Sequence, residues 1–208
     1  MAVVPKTEPA DAREQVADRE LVARCQAGED AAFDTLVLRH QQRALNVAYQ
    51  LLRDYEDAAE VAQDAFVRIY RSIGGFRGDC EFTTWLHQIV VNLARNKHRW
   101  WMRRGRERTV SLDSTVETEE GEMPMQVAAP GDAPDAEVVK AEFVRTLSRK
   151  MAVLPRKYRE VLVLRNVENM RYEEIAVALR CSVGTVKSRI ARAREMLRRA
   201  MAVETGND

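Results

Sequence analysis

The sequence predicts an all-α chain: two small helical domains joined by a flexible acidic linker, the second ending in a helix-turn-helix. Three observations predict it. Apolar residues recur at i, i+3 and i+4 through two long blocks, the spacing of a helix that buries one face. Between the blocks, Thr109 to Val139 holds no Lys or Arg but carries Asp113, Glu117, Glu119, Glu120, Glu122, Asp132, Asp135 and Glu137, with Pro124, Pro130 and Pro134 among them. Such a stretch buries too little apolar surface to order itself. Finally, Tyr172 to Arg199, YEEIAVALRCSVGTVKSRIARAREMLRR, divides into two short helices about a tight turn.

Composition sets the bounds. The 208 residues suffice for one large or two small domains, and 46% hydrophobic content supplies their cores. The net charge of +1 does not by itself suggest nucleic acid, but it averages a basic segment against the acidic linker. Cys25, Cys80 and Cys181 are scattered, with no CxxC pair and no His at metal-ligand spacing. They read as reduced thiols of a cytoplasmic protein, with no metal site and no cofactor. No apolar run approaches the roughly 20 residues of a membrane span, and the N-terminus lacks a signal-peptide core, so direct membrane insertion is not expected.

Taken in order, residues 1–17 are polar and form a disordered tail. Asp18 caps a first helix, RELVARCQA, which Gly28 stops. Asp30 to Leu52 is a second helix, burying Phe33, Leu36, Val37, Ala44, Val47, Ala48 and Leu51. A third begins at Asp54 or Tyr55 and buries Ala58, Val61, Ala62, Ala65, Phe66, Ile69 and Ile73 before Gly74-Gly75 ends it. After the loop FRGDCEF, Thr83 or Thr84 starts a fourth, carrying Trp85, Leu86, Ile89, Val90 and Leu93. It runs into RNKHRWWMRRGRER, where Trp100 and Trp101 sit among Arg and Lys with Glu107 the one acid. Two readings stand side by side: cations and aromatics that track and stack on single-stranded nucleic acid, or two Trp that close the end of a small core.

In the second block Val139, Phe143, Val144, Leu147 and Met151 form one face. Pro155 opens a helix, RKYREVLVLRNV, that buries Val161, Leu162 and Val167. In the helix-turn-helix, Ile175, Ala176 and Leu179 make the first apolar face, and Ser182 caps the second helix. There Val183, Val186, Ile190, Ala193 and Leu197 form the stripe. The opposite face holds Gly184, Thr185, Ser188, Ala191, Arg192, Glu195 and Arg199. Such a motif places its second helix in a DNA major groove, N-terminal residues first, so Thr185, Ser188, Ala191 and Arg192 are the candidate base readers. Lys187, Arg189 and Arg194 on the flanks suit phosphates.

Catalytic patterns are missing. There is no Gly-rich phosphate loop, HExxH, GxSxG or acid–base cluster, and His40, His87 and His98 are isolated. The chain is not expected to be an enzyme.

Four motifs, DAAEVAQDAFVRIYRS, FRGDCEFTTWLHQIVVNLARNKHR, LPRKYREVLVLRNVENMRYEEIAVAL and CSVGTVKSRIARARE, occur in the order found in extracytoplasmic-function sigma factors of bacterial RNA polymerase. The chain resembles that family over residues 18–203. The resemblance implies a sigma factor that binds core RNA polymerase, recognises minus-35 and minus-10 elements in double- and single-stranded promoter DNA, and helps melt them. It implies an anti-sigma partner as well. By position, Gln63, Asp64 and Arg68 match the surface that docks on the polymerase. Arg77, Gly78, Asp79, Cys80, Phe82 and Trp85 match the pocket for a flipped minus-10 base, with Asn92, Arg95, Asn96 and Arg99 beside it. Ser188, Ala191 and Arg192 match the minus-35 readers, and Thr185, Lys187 and Arg189 join them as minus-35 candidates from the helix face alone. The turn departs from the family by carrying Arg180 where Gly is frequent, and Cys80 and Glu81 depart in the pocket loop. A stand-alone helix-turn-helix regulator is the alternative reading.

The expected boundaries are 18–105 for the first domain, 106–136 for the linker, 137–203 for the second domain and 204–208 for a tail. About 30 linker residues reach roughly 100 Å extended and about 30 Å as a coil. Promoter boxes about 16 base pairs apart are separated by roughly 55 Å. The tether thus spans both boxes without fixing their spacing.

Overall fold

The computed structural model describes residues 10–104, 146 and 149–205; the acidic linker and both tails lie largely outside them. Among the described residues every regular element is helical.

Helix α1 runs Ala10–Gln26, starting well ahead of the expected cap at Asp18. The correction has a physical cause. Asp18 is buried, and its carboxylate accepts from Arg39 Nη1 at 2.6 Å and pairs with His40 Nε2 at 2.8 Å. It therefore anchors α1 sideways onto α2 instead of capping an end. Gly28 turns the chain as expected, with φ +91°, a conformation that a Cβ disfavours.

Helix α2, Asp30–Leu52, buries Ala32, Leu36, Ala44, Val47, Ala48 and Leu51. Phe33 and Val37, expected in the core, are only half-buried and face a groove. Helix α3, Tyr55–Ser72, starts where the sequence placed it, and Asp54 caps it: its Oδ1 accepts from the Asp57 N–H at 2.9 Å. Its buried residues, from Ala58 to Ile69, are those predicted, and a single 3₁₀ turn, Ile73–Gly75, follows. Gln26 Nε2 donates to the carbonyls of Ile73 and Phe76, fastening α1 to that turn. Helix α4, Phe82–Arg103, completes the first module, with Leu86, Val90, Val91, Leu93 and Ala94 in the core.

The second module begins with Met151 and Leu154 in its core. Pro155 is the N-cap of α5, Arg156–Asn166, one position before the place expected. Helix α5 buries Val161, Leu162, Val163 and Leu164 in succession, where the sequence pointed to Val161, Leu162 and Val167; Val167, past the helix end, is half-buried. The helix is covered on two sides, by α7 and by α2 of the first module, so the four successive apolar residues at its middle all find a neighbour. Helix α6, Tyr172–Leu179, opens on a capping box, the Glu174 carboxylate accepting from the Arg171 N–H at 2.7 Å. Helix α7, Val183–Thr205, is capped by Ser182, whose Oγ accepts from the Thr185 N–H at 3.1 Å.

The two modules touch. Helix α4 packs on α6, and α2 on α5. Arg159 donates to the Leu51 carbonyl at 2.9 Å, satisfying one of the orphan carbonyls at the end of α2. The same guanidinium binds the carbonyls of Met151, Ala152 and Leu154.

Candidate nucleic-acid interface

Helix α7 sits as its stripe dictates. Val186, Ile190 and Ala193 are fully buried, and Val183 and Leu197 are half-buried. This rotation leaves Lys187, Ser188, Ala191 and Arg192 exposed on the outer side. Thr185 is half-buried, its hydroxyl 2.9 Å from the Ser182 hydroxyl. Arg189 is also half-buried, since it turns toward the first module. The turn before α7 runs through Arg180 at φ 52°, ψ 54°, a left-handed conformation in a residue with a side chain.

The loop before α4 is held at both ends. Arg77 Nη2 meets Asp79 Oδ2 at 2.9 Å, and Gly78 sits at φ +73°. Glu81 pairs with Arg19 of α1. Cys80 is half-buried, and burial, with Asp79 and Glu81 beside it, pushes its thiol pKa up. Phe82 lies in the core at 3% exposure, so it supports the loop from beneath. Trp85 stacks on Phe76 with centroids 4.5 Å apart and meets Phe82 edge-on at 6.3 Å. Among Arg77, Gly78, Asp79, Cys80, Phe82 and Trp85, the open positions are Arg77, Gly78 and Asp79.

Farther along α4 the structure brings Asn92, Arg95, Asn96 and Arg99 to one cleft of about 400 Å³. Arg156, Lys157 and Arg189 of the second module line its other side. Arg95 is committed there. Its Nε and Nη2 donate to the two Glu160 oxygens at 2.8 and 2.6 Å, and this bond holds its guanidinium pKa up. Asn96 is exposed and accepts from Arg99.

The Trp question resolves by position. Trp101 is buried and closes the end of the first core. Trp100 is half-buried, with the Arg104 guanidinium 4.4 Å and the Lys97 ammonium 5.7 Å from its ring centroid. Lys97 is drawn to α3 by Asp57 at 2.9 Å and Glu60 at 2.6 Å, which outweigh its desolvation and raise its pKa.

Gln63, Asp64 and Arg68 are exposed together on α3. Gln63 borders an apolar groove of about 670 Å³ between α2 and α3, with Phe33, Val37, Leu45, Phe66 and Tyr70 in its walls. The sequence reading missed this groove because it assigned Phe33 and Val37 to the core. It also missed Glu160, although a lone acid beside the Val161–Leu164 run was the available signal. Among the described residues no group of His, Cys, Asp or Glu could hold a metal ion, and no helix is long and apolar enough to cross a membrane.

Comparison with known proteins returns both modules in order. The family model for sigma-70 region 2 matches residues 36–106, and that for sigma-70 region 4 matches 145–197. The RNA polymerase sigma-H factor of Pseudomonas aeruginosa is 38% identical over 187 residues, covering 90% of this chain and 95% of that protein. The extracytoplasmic-function sigma-E factor of Escherichia coli (strain K12) is 35% identical, covering 88% and 94%. Among solved structures, CnrH in complex with the cytosolic domain of CnrY aligns with TM-score 0.63 and 26% identity, covering 92% of this chain and 99% of that one. The sigma factor RpoE in complex with the anti-sigma factor NepR from Bartonella quintana aligns with TM-score 0.58 at 24% identity, a likeness of fold, over 82% and 97%.

Proposed function

The chain belongs to the sigma-70 family, among its extracytoplasmic-function members, and on that premise we propose how its surfaces divide the work of a sigma factor. It is a non-enzymatic protein that binds core RNA polymerase and directs it to promoters. Helix α7 reads the minus-35 element through Ser188, Ala191 and Arg192, with Lys187 and Arg189 on phosphates. The observation that carries this assignment is the burial of Val186, Ile190 and Ala193, which fixes the helix rotation and leaves those readers outward.

Open loop residues Arg77, Gly78 and Asp79, together with Asn92, Arg95 and Asn96 of α4, meet the minus-10 element. Extruding a base there costs a few kcal/mol of stacking, offset by pocket contacts and backbone electrostatics. The exposed Gln63, Asp64 and Arg68 dock on core polymerase. An anti-sigma factor is the expected antagonist; the similarly folded RpoE of Bartonella quintana is solved in complex with the anti-sigma factor NepR. The chain works on the cytoplasmic side of the membrane, where core polymerase and promoter DNA lie.

Promoter footprints with and without core polymerase test this reading. The protein alone is expected to bind DNA weakly and without sequence preference, and open complexes are expected only with core enzyme. Equal footprints in both arms would favour a stand-alone regulator.

A further inference from the structure

We propose that the basic cleft lined by α4, α5 and α7 is a binding site for a free oligophosphate, an anion of linked phosphates such as inorganic triphosphate or the phosphate chain of a nucleotide. The cleft encloses about 400 Å³, a volume in the range of small-ligand sites. Arg95 and Arg99 reach it from α4, Arg156 and Lys157 from α5, and Arg189 from α7. Five cationic side chains thus face one carboxylate, that of Glu160, a surplus of four positive charges. Glu160 is already committed. Its two oxygens accept from Arg95 Nε and Nη2 at 2.8 and 2.6 Å, and Arg156 Nε lies 3.4 Å from the same carboxylate. Arg99 donates to the neutral Asn96 amide, and the Lys157 ammonium lies 5.0 Å from the Tyr158 ring centroid. Among the described residues Arg99, Lys157 and Arg189 pair with no carboxylate.

The donor set selects phosphate. A guanidinium fork matches two phosphate oxygens, and linked phosphates let several forks and one ammonium bind at once. Asn92 and Asn96 add neutral amide donors to the same walls. A concave wall of low dielectric focuses the field of its charges, so the cleft attracts a multivalent anion more strongly than an open basic face does. Two features show that the protein itself leaves this field uncompensated. Arg156 and Lys157 stand in the first turn of α5, where the helix dipole favours acids and none is present. His98 of α4 has its pKa held below the ordinary value by burial and then by the cations Arg156 and Arg159. No aromatic or aliphatic side chain among the described residues lines the cleft, so the phosphate chain is held and a nucleobase is not read.

The site does not rest on the promoter reading, although Asn92, Arg95 and Asn96 also stand among the proposed minus-10 contacts. Isothermal titration calorimetry of the full chain, without promoter, polymerase or divalent cation, tests it with inorganic triphosphate as the probe. Triphosphate is expected to bind once per chain, about tenfold or more tighter than orthophosphate or sulfate at equal ionic strength, because each added phosphate gains charge-assisted contacts. Lys157→Gln and Arg189→Gln, on different helices, are each expected to weaken it about tenfold, the loss of one such contact. Arg24→Gln removes the same charge from α1 and is expected to bind as wild type does. Far-UV circular dichroism reports folding, and Lys157 is exposed, so its replacement leaves the core intact. No saturable binding, equal affinity for orthophosphate, or an equal loss in Arg24→Gln marks diffuse attraction and overturns the site. ATP and GTP are expected to match triphosphate; a nucleotide that binds far tighter shows that a base is read and overturns the assignment to the phosphate chain. A single-stranded tetranucleotide, whose phosphates are separated by sugars, is expected to bind more weakly than triphosphate. Equal affinity would give the cleft to the DNA backbone and overturn a site for free oligophosphate.

Discussion

Arg180 holds the helix-turn-helix at a conformational cost, and replacing it by Gly is expected to stabilise the second module. The residue ends α6 at φ 52°, ψ 54°, and the turn it makes lets the Cys181 N–H reach the Ala176 carbonyl at 3.0 Å. An L-residue in this left-handed region pays about 1–2 kcal/mol because its Cβ crowds the carbonyl. Glycine avoids that cost but adds about 0.4–1 kcal/mol of unfolded-state freedom. The Arg180 side chain is exposed and makes no hydrogen bond or ion pair among the described residues, so little contact energy is lost. The balance favours Arg180→Gly by about 0.5–1 kcal/mol. For a module of this size, that corresponds to a rise in Tm of about 2–8 °C.

The assay is thermal unfolding of the full chain followed by circular dichroism, with two companion variants. Arg180→Ala removes the charge and keeps the Cβ, so its Tm is expected to stay near wild type. Arg180→Val adds a β-branch to a left-handed residue and is expected to lower Tm. If Arg180→Gly lowers Tm, the turn is held by something other than its backbone. If Arg180→Ala gains as much as Arg180→Gly, relief of charge repulsion accounts for the gain, and the conformational argument fails.

Asp64→Arg is expected to weaken capture of core polymerase while shifting stability by under about 0.5 kcal/mol, since Asp64 is exposed; pull-down and melting on one preparation check both. In holoenzyme, Arg192→Ala is expected to relax preference at one or two minus-35 positions, a bidentate base contact being worth about 1–3 kcal/mol of discrimination. Lys187→Ala is expected to weaken all duplexes alike and reduce the salt slope by about 0.9, as selection from a promoter library at two salt concentrations would reveal. His98 is disfavoured as a cation by burial and by Arg156 and Arg159 of the other module, so its folded pKa lies below the ordinary 6.5. The unfolded chain then binds more protons in that window, and stability falls as pH drops below about 6.5. His98→Gln is expected to flatten that decline, read as the difference in Tm between pH 7 and pH 5 against wild type.

Much of the fold was legible because it rests on local periodicity. The buried residues of α3, its start at Asp54 or Tyr55, the stripe of α7 and the cap at Ser182 all follow from spacing and side-chain type within a turn or two. The misreadings share a different cause. Asp18 has the chemistry of a cap, but Arg39 and His40, a full helix away, claim its carboxylate. Phe33 and Val37 fit the α2 stripe, yet they lie at its edge where α3 leaves a groove open, so the smaller Ala32 is the buried one. Val163 and Leu164 of α5 were not expected in the core because nothing in its own sequence says that α2 covers a second side.

The contact between modules was the least legible feature, and α4 explains why. Its apolar positions announced a core helix, and its basic positions read as a solvated or DNA-facing side. Arg95 pairs with Glu160 across 65 positions, and such an ion pair leaves no periodic trace in either segment. The same side of α4 that suits DNA is the side that receives the second module. A substitution at Arg95 therefore removes a proposed DNA contact and a contact between modules together, and its effect on promoter binding is a difference of two opposing terms. Glu160 separates them. No promoter contact is proposed for Glu160, so releasing Arg95 by Glu160→Gln changes the contact between modules while leaving the reader in place. If α4 serves DNA and the second module with one face, loss of Glu160 and loss of Arg95 must weaken the contact between modules alike, and Arg95→Gln must bind a single strand more weakly than Glu160→Gln.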